Sequence, residues 1–575
     1  MSTTVGRIDC SMKPPSPIRM RAIIQRHGGT VLIVAALAFF LAMQGGTPYY
    51  HPDSLIPQAE GAVTNQGDPG FFNYPALIIY LQAVVYRIND ALIQCSPTLI
   101  GGDHQTWPLY DVPGHVLTAC FSVLGTVAVY GSSYLLTGQR KSSAVGTALL
   151  VLSPLWNANS HYLTVDIPLA SLCAATLLVL VYGVQKSHSF QMGFAVLLGA
   201  LVGLSAAAKY NGALIATSVA AVLMSPRRQF WRSIVLLSIC GLVSIAVFLM
   251  INPYILLDYT HFIEDFAFEV DHASVGHTGF DVSTPYHHIT VSLRQGLGIL
   301  PMMTAFYGAI RLTLAKDLED STKRAVLIFP LSYLVELLQT RLAFQRYVLP
   351  LIPFAVVLST YGLDGFLTRC LNHRVTRLRK LKTLIVVVGL IVALGVNGIQ
   401  SIGHNVLLGK DDTRALLVDT IVRNPELVEG IEVAAGHYVK ILLNISNGAL
   451  VTPNGVLGAP DIMILDSFSH DRYVSASTTE LAIDFSPLQE GTLLILAPYR
   501  VEKEMIPPSP ESLYSPYYPD LQFRERPGPY IEMYFASPTL AGRYATAFQR
   551  MNITYSEAIV PEGYFYRKLH SNAGP

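Results

Sequence analysis

Residues 49–80 read YYHPDSLIPQAEGAVTNQGDPGFFNYPALIIY, directly after the first long apolar run of the chain. How this stretch is placed decides the fold. It is polar and rich in Gly and Pro, and irregular backbone of this kind has no partners in hydrocarbon. The stretch is therefore a loop outside the bilayer, held by protein. Asp53 lies within it, between His51-Pro52 and a short helical pattern that opens at Ser54-Leu55-Ile56. The later polar interruptions of the apolar chain can all be placed on the same side of the membrane as this loop.

Composition supports that reading. The chain has 575 residues, 51% of them hydrophobic and only 14% charged, with mean hydropathy +0.41. Soluble globular proteins carry about 25% charged residues, so this is a polytopic membrane protein. Lys+Arg and Asp+Glu balance at 39 each, which gives no electrostatic footprint for nucleic acid. Cys10, Cys95, Cys120, Cys173, Cys240 and Cys370 are scattered without CxxC spacing and read as small buried hydrophobes.

Apolar runs long enough to cross a bilayer occur near 28–45, 113–137, 143–160, 166–185, 190–208, 210–225, 231–251, 295–315, 324–340, 347–365 and 382–402, about eleven in all. The first is read as an uncleaved span rather than a signal peptide, because many spans follow it. The positive-inside rule then orients the chain. With a cytoplasmic tail at 1–27, the inner loops hold Arg140-Lys141, Lys186, Arg227-Arg228-Arg232, Lys316-Lys323-Arg324 and the run from Arg369 to Lys382. Counting 71–87 as a span would invert every later loop, so it is expected to be a helix lying at the outer interface.

The expected organisation is an α-helical polytopic membrane domain over 28–403, with outer loops at 46–112 and 252–294, and an extracytoplasmic α/β domain over 404–575. In the latter, 411–424 (DDTRALLVDTIVRN) has a helical pattern, and IEVAAGHYV, DIMILDSFS and TLLILAPY read as short strands. A Pro/Tyr-rich excursion runs from Pro507 to Pro529.

Ionisable side chains at span ends are costly unless they face water or each other. On the outer face these are Asp53, Asp166 and Lys209, the pair Arg341 and Arg346, and the acids and histidines of the 252–294 loop. Each has an ordinary reading. Asp is a good N-cap, which serves Asp166 as well as catalysis does, and a lone Lys or Arg at a span end usually snorkels to headgroups. Three cations on the face that carries the carboxylates point instead to an anionic headgroup, with Arg favoured for phosphate. Arg346 is preferred over Arg341 because Tyr347 and an apolar run follow it at once. Asp53, flanked by His51, is read as functional. In the loop, Glu269, Asp271 and His272 lack a strong ligand spacing such as HExxH. A divalent metal is therefore the lesser alternative to an amphipathic helix whose apolar side is Phe262, Phe266 and Phe268, and no metal ligands are assigned.

Five segments, YYHPDSL, HYLTVDIPLA, GLSAAAKYNGAL, NPYILLDYTHFIEDFAFEVDHASVGHTG and RLAFQRYVLPLIP, occur in this order. Together they resemble the polyprenyl-phosphate-sugar-dependent glycosyltransferases of the GT-C fold: family 39 and the aminoarabinose-transferase-like enzymes, kin of the protein O-mannosyltransferases. The resemblance implies that Asp53 is the catalytic base, with Asp166 as the second acidic motif. The family's acidic pair is incomplete here, since Ser54 follows Asp53. It further implies that Lys209 and Arg346, with Arg341 and Tyr347 beside them, meet the donor phosphate. Glu269 and His272 match an acidic/His patch, which with His51 makes them candidate substrate-site residues. The partners implied are a polyprenyl-phosphate sugar donor and a lipid, glycan or protein acceptor, within membrane lipids and with no nucleic acid. The expected location is the plasma membrane.

The chemistry suits those groups. A sugar on a lipid phosphate already carries a good leaving group, so the protein must take a proton from an acceptor hydroxyl and stabilise the departing phosphate. No P-loop or GxGxxG fingerprint is present. A transporter with an outer accessory domain is the alternative, but transporters place charge near the midplane, often in paired repeats. A sensor or scaffold would need fewer spans and no clustered outer acids.

Overall fold

The computed structural model describes residues 17–44, 54–95, 108–186, 192–225, 229–275, 284–342, 344–371 and 376–408. Beyond these it describes short segments between 420 and 559. The helices in chain order are α1 (Pro17–Met43), α2 (Ile56–Thr64), α3 (Leu77–Cys95), α4 (Pro108–Thr137), α5 (Arg140–Val151), α6 (Pro154–Asn159), α7 (Asp166–Lys186), α8 (Met192–Ala208) and α9 (Ala216–Leu223). They continue as α10 (Phe230–Ile251), α11 (Tyr254–Leu257), α12 (Tyr259–Val275), α13 (Thr284–His287), α14 (Leu293–Leu297), α15 (Ile299–Leu314), α16 (Asp320–Gln339), α17 (Ile352–Leu371) and α18 (Thr376–Leu408).

Among the described residues, each of the eleven apolar runs is largely helical, but several are broken. Among the described residues five helices are long and apolar enough to cross a bilayer, or six if a pair bent by 109° counts as one span. The breaks have local causes. Ser153 caps α6, its hydroxyl accepting from the Trp156 N–H at 3.3 Å, and Pro154 follows at the first turn. This divides the 143–160 run. Gly298, at φ +82°, separates α14 from α15, a conformation that disfavours any residue with a Cβ. Lys209 is extended (φ −157°, ψ 138°) between α8 and a 3₁₀ turn, Tyr210–Ile215. A second 3₁₀ turn, Gln345–Leu351, leads into α17.

Two positions within the bundle are evident. Only 11% of the α10 window and 17% of the α18 window are buried, against 89% of the Gln345–Cys370 window. A helix that is apolar all round yet exposed is solvated by lipid. The α7 and α17 helices belong instead to the central core, with Leu177, Leu180, Phe354 and Val357 fully buried. Close approach is provided by small residues. A Cβ added at Gly199 or Gly203 of α8 would fall 2.5 Å from the Cys240 carbonyl or 2.6 Å from that of Ser244 on α10, the small-xxx-small packing of membrane helices.

The deciding stretch folds back on this core. Leu55, Ala59 and Ala62 of the α2 region pack with Ile78 and Ile79 of α3 and with Val165, just before α7. Of the helix expected over 71–87, the part from Leu77 is helical, as α3, whereas 71–76 form a turn.

Seven short strands are described after residue 432: β1 (Val433–Ala435), β2 (Ala449–Thr452), β3 (Gly455–Val456), β4 (Ile462–Asp466), β5 (Leu493–Ala497), β6 (Tyr530–Phe535) and β7 (Thr554–Ile559). They form one mixed sheet in the order β3-β2-β1-β4-β5-β6-β7, with β1, β2, β4 and β5 parallel. The three strands expected from sequence are β1, β4 and β5. The remaining four, β2, β3, β6 and β7, are additional to that expectation. Most of the expected 411–424 helix, and the Pro507–Pro529 excursion, lie outside the described residues.

Candidate active site

Asp166 opens α7 and is only 3% exposed. Its Oδ1 meets Lys209 Nζ at 2.9 Å and its Oδ2 meets Arg346 Nε at 3.8 Å. The two cations come from breaks in the helical pattern, Lys209 from the α8 break and Arg346 from the 3₁₀ turn before α17. A break is where a long cationic side chain can turn back across a helix end. Lys209 Nζ lies over the Tyr347 ring, 4.4 Å from its centroid, and 5.7 Å from that of Tyr74. Arg346 stacks on Phe344 at 4.3 Å. Cation–π contacts of this kind hold charge in place without neutralising it. Burial lowers the pKa of Lys209, but the Asp166 carboxylate and then Tyr347 outweigh it and hold it above its ordinary value.

One carboxylate faces two cations here, and Glu336 also interacts electrostatically with Lys209. Hydrogen bonds fix the frame of this centre. Tyr333 donates to the Tyr347 carbonyl at 3.1 Å, and Asn211 Nδ2 donates to the Tyr333 hydroxyl at 3.1 Å.

The 72–76 turn forms the adjacent wall, pinned from three sides. The Phe72 N–H donates to Asp265 Oδ2 at 2.7 Å, Asn73 Nδ2 to Glu269 Oε1 at 2.9 Å, and the Ala76 N–H to Asn252 Oδ1 at 2.6 Å. The Tyr210 hydroxyl donates to the Phe72 carbonyl at 2.7 Å. Glu269 thus joins α12 to this turn. His272 stacks on Phe268, with centroids 5.8 Å apart.

Here the expected apolar side of α12 needs correction. Phe262 packs on Phe72 and Phe266 on Tyr210, but Phe268 is 59% exposed. The inward face is Phe262, Asp265, Phe266, Glu269 and Ala273, which keeps the 3- and 4-residue helical spacing; Phe268 breaks it. Arg341 is exposed, and its backbone N–H donates to the Ala273 carbonyl at 2.9 Å at the end of α12.

The structure therefore brings Asp166, Lys209, Arg346 and Tyr347 together, with Glu269 one wall away. His51 and Asp53 lie outside the described residues. The chain immediately after them is described: the Leu55 N–H meets the Leu163 carbonyl at 3.5 Å, three residues before Asp166. Sequence reasoning missed Asn73, Asn211, Asn252 and Tyr333. Asn211 and Asn252 are polar residues at helix ends beside residues already chosen, which was a usable signal. Tyr333 inside an apolar helix gave none. No group of three or more His, Cys, Asp or Glu side chains that could hold a metal is found among the described residues.

Residues 100–253, which include Asp166 and Lys209, match the family model described as dolichyl-phosphate-mannose-protein mannosyltransferase. No curated protein sequence matches this chain significantly. Among solved structures, ArnT from Cupriavidus metallidurans bound to undecaprenyl phosphate is similar with TM-score 0.51 and 13% identity, over 81% of this chain and 92% of ArnT. ArnT in the apo state is similar with TM-score 0.51 and 13% identity, over 82% and 93%. An oligosaccharyltransferase from Archaeoglobus fulgidus, tethered with an acceptor peptide, has TM-score 0.47 and 11% identity over 82% of this chain and 69% of that one. With its lipid-facing apolar helices and the architecture shared with ArnT, the chain is an integral membrane protein of the GT-C fold.

Proposed function

We propose that the chain is a membrane glycosyltransferase that moves a sugar from a polyprenyl-phosphate carrier to a hydroxyl of a lipid, glycan or protein. The observation that carries this reading is the buried Asp166–Lys209–Arg346 centre at one end of the core helices. A buried site that gathers Lys209 and Arg346 among aromatic rings suits a phosphate carried on an apolar chain. The match of residues 100–253 and the likeness to ArnT agree with it.

In this reading Lys209 and Arg346 hold the donor phosphate, and Asp166 keeps both cations extended toward it before substrate arrives. Preorganised charge of this kind costs no rearrangement during reaction. Asp53 takes the proton of the acceptor hydroxyl. The acceptor oxygen attacks the anomeric carbon as the bond from that carbon to the phosphate oxygen breaks. The products are the glycoside, with its anomeric centre inverted, and polyprenyl phosphate. The site lies at the outer face, and the strand-rich C-terminal region is extracytoplasmic.

The test is transfer of radiolabelled sugar from synthetic polyprenyl-phosphate donors by purified protein in lipid. Wild type is expected to label acceptor, and folded Asp53→Asn to lose at least about a hundred-fold in rate, the range of general-base contributions. Equal transfer by both would remove Asp53 from the mechanism and leave Asp166 as the remaining acid.

A further inference from the structure

Three segments meet at the carbonyl oxygen of Leu163. The Leu55 N–H donates to it at 3.5 Å and Gln82 Nε2 at 3.0 Å. Around this node the Ser54 hydroxyl, the Gln82 Oε1 and the Thr164 hydroxyl are buried with no hydrogen-bond partner, as is Gln58 Oε1 in the first turns of α2. Ser54, Gln82 and Thr164 are 4%, 5% and 2% exposed. Native proteins leave few such atoms, because each forfeits its hydration without return. Three beside one node, Ser54, Gln82 and Thr164, form a polar lining that a dry core does not need.

The orientation of Gln82 is fixed. Flipping its amide would set oxygen against the Leu163 carbonyl oxygen, so Nε2 is anchored there and Oε1 is left to accept. An acceptor-only atom excludes an ionised phosphate oxygen as its partner, since that also only accepts. It requires a hydroxyl or amine donor. The Ser54 and Thr164 hydroxyls can donate or accept, which matches a group bearing several hydroxyls. The place is also specific: Ser54 follows Asp53 in the chain, and Thr164 stands two residues before Asp166.

We propose that Gln82, with Ser54 and Thr164, forms the subsite that holds the hydroxyl groups of the donor's sugar. This rests on the glycosyl-transfer reading above. It assigns the sugar to the lining around Leu163 and the phosphate to Lys209 and Arg346.

The test separates sugar from phosphate and needs no acceptor. Full-length protein in nanodiscs is titrated with undecaprenyl phosphate, and with its mannosyl, glucosyl and 4-aminoarabinosyl esters. The variants are Gln82→Leu and Thr164→Val, the second isosteric. Both variants are expected to bind undecaprenyl phosphate as wild type does, and the sugar-bearing carrier that wild type prefers roughly ten-fold more weakly. Thr164→Val should melt no lower than wild type, because it replaces an orphaned hydroxyl with a methyl group of the same shape. Equal weakening of both ligands, or a lowered melting temperature of Thr164→Val, would make the lining structural. Unchanged binding of the sugar-bearing carriers would assign it to water and overturn the subsite alone. Wild type that binds none of those carriers would overturn the glycosyl-transfer reading, and the subsite with it.

Discussion

Asp166 sits between two cations in a place with almost no water, and that fixes what its loss must do. Removing one partner of a buried ion pair leaves uncompensated charge and costs about 3–5 kcal/mol. Asp166→Asn should therefore lower stability by about that amount, read from thermal or denaturant unfolding in detergent, before any effect on activity is considered. A variant as stable as wild type would mean that Lys209 and Arg346 do not depend on this carboxylate. Tyr333→Phe tests the frame. It deletes a hydroxyl that bridges Asn211 and the Tyr347 carbonyl, and should cost about 1 kcal/mol by the same unfolding measurement. The residues of the cation centre were legible in sequence because each interrupts an apolar run, where charge is conspicuous. Gln82 and Tyr333 were not, because a single polar group within a helix gives no sign of which way it faces. Ser54 stood in sequence only as the gap in an acidic pair. The structure adds that its hydroxyl is buried without a partner.

At the scale of elements, membrane helices gain nothing from burying apolar surface against each other, so close packing decides their association. The α8 and α10 helices meet at Gly199 and Gly203. Gly203→Ala places a methyl group against backbone and should destabilise by about 1–3 kcal/mol, as overpacking does. Melting of the purified variant checks this, and an unchanged midpoint would show that the pair can separate cheaply. Gly308 and Gly362 make a tighter contact of the same kind between α15 and α17. Helix existence was readable from hydropathy alone. The breaks were not, because Lys209, Gly298 and Ser153 interrupt runs whose average hydropathy stays high. The grouping of Phe268 with Phe262 and Phe266 on one apolar side failed for a related reason. On a helix rich in both aromatic and acidic residues, the protein-facing side is set by partners such as Phe72 and Tyr210, which lie far away in sequence.

Over the whole molecule, residues from six distant parts of the chain meet at one end of the core helices. The contacts of Arg140 with Thr30, Gln185 with Leu135, and Arg369 with Tyr307 occupy the opposite ends of α5, α7 and α17. The orientation expected from the Lys/Arg clusters, with the basic loops inside, is open to direct test. With the native cysteines replaced, Cys introduced at the exposed His261 should react with a membrane-impermeant reagent in intact cells. Cys at the exposed Lys141 should react only after lysis; the reverse pattern would invert the topology. The sheet of the C-terminal region was only partly legible, because strands as short as Val433–Ala435 carry too few residues for alternation to register. The central claim is that the buried cation centre receives a lipid phosphate. It is tested most directly by measuring undecaprenyl phosphate binding to full-length protein in nanodiscs, comparing wild type, Lys209→Met, Arg346→Met and the distant Lys141→Ala. Losing one charge-assisted contact should weaken binding by about ten-fold or more in the first two variants, with Lys141→Ala unchanged. Equal affinity in all four proteins would contradict the account.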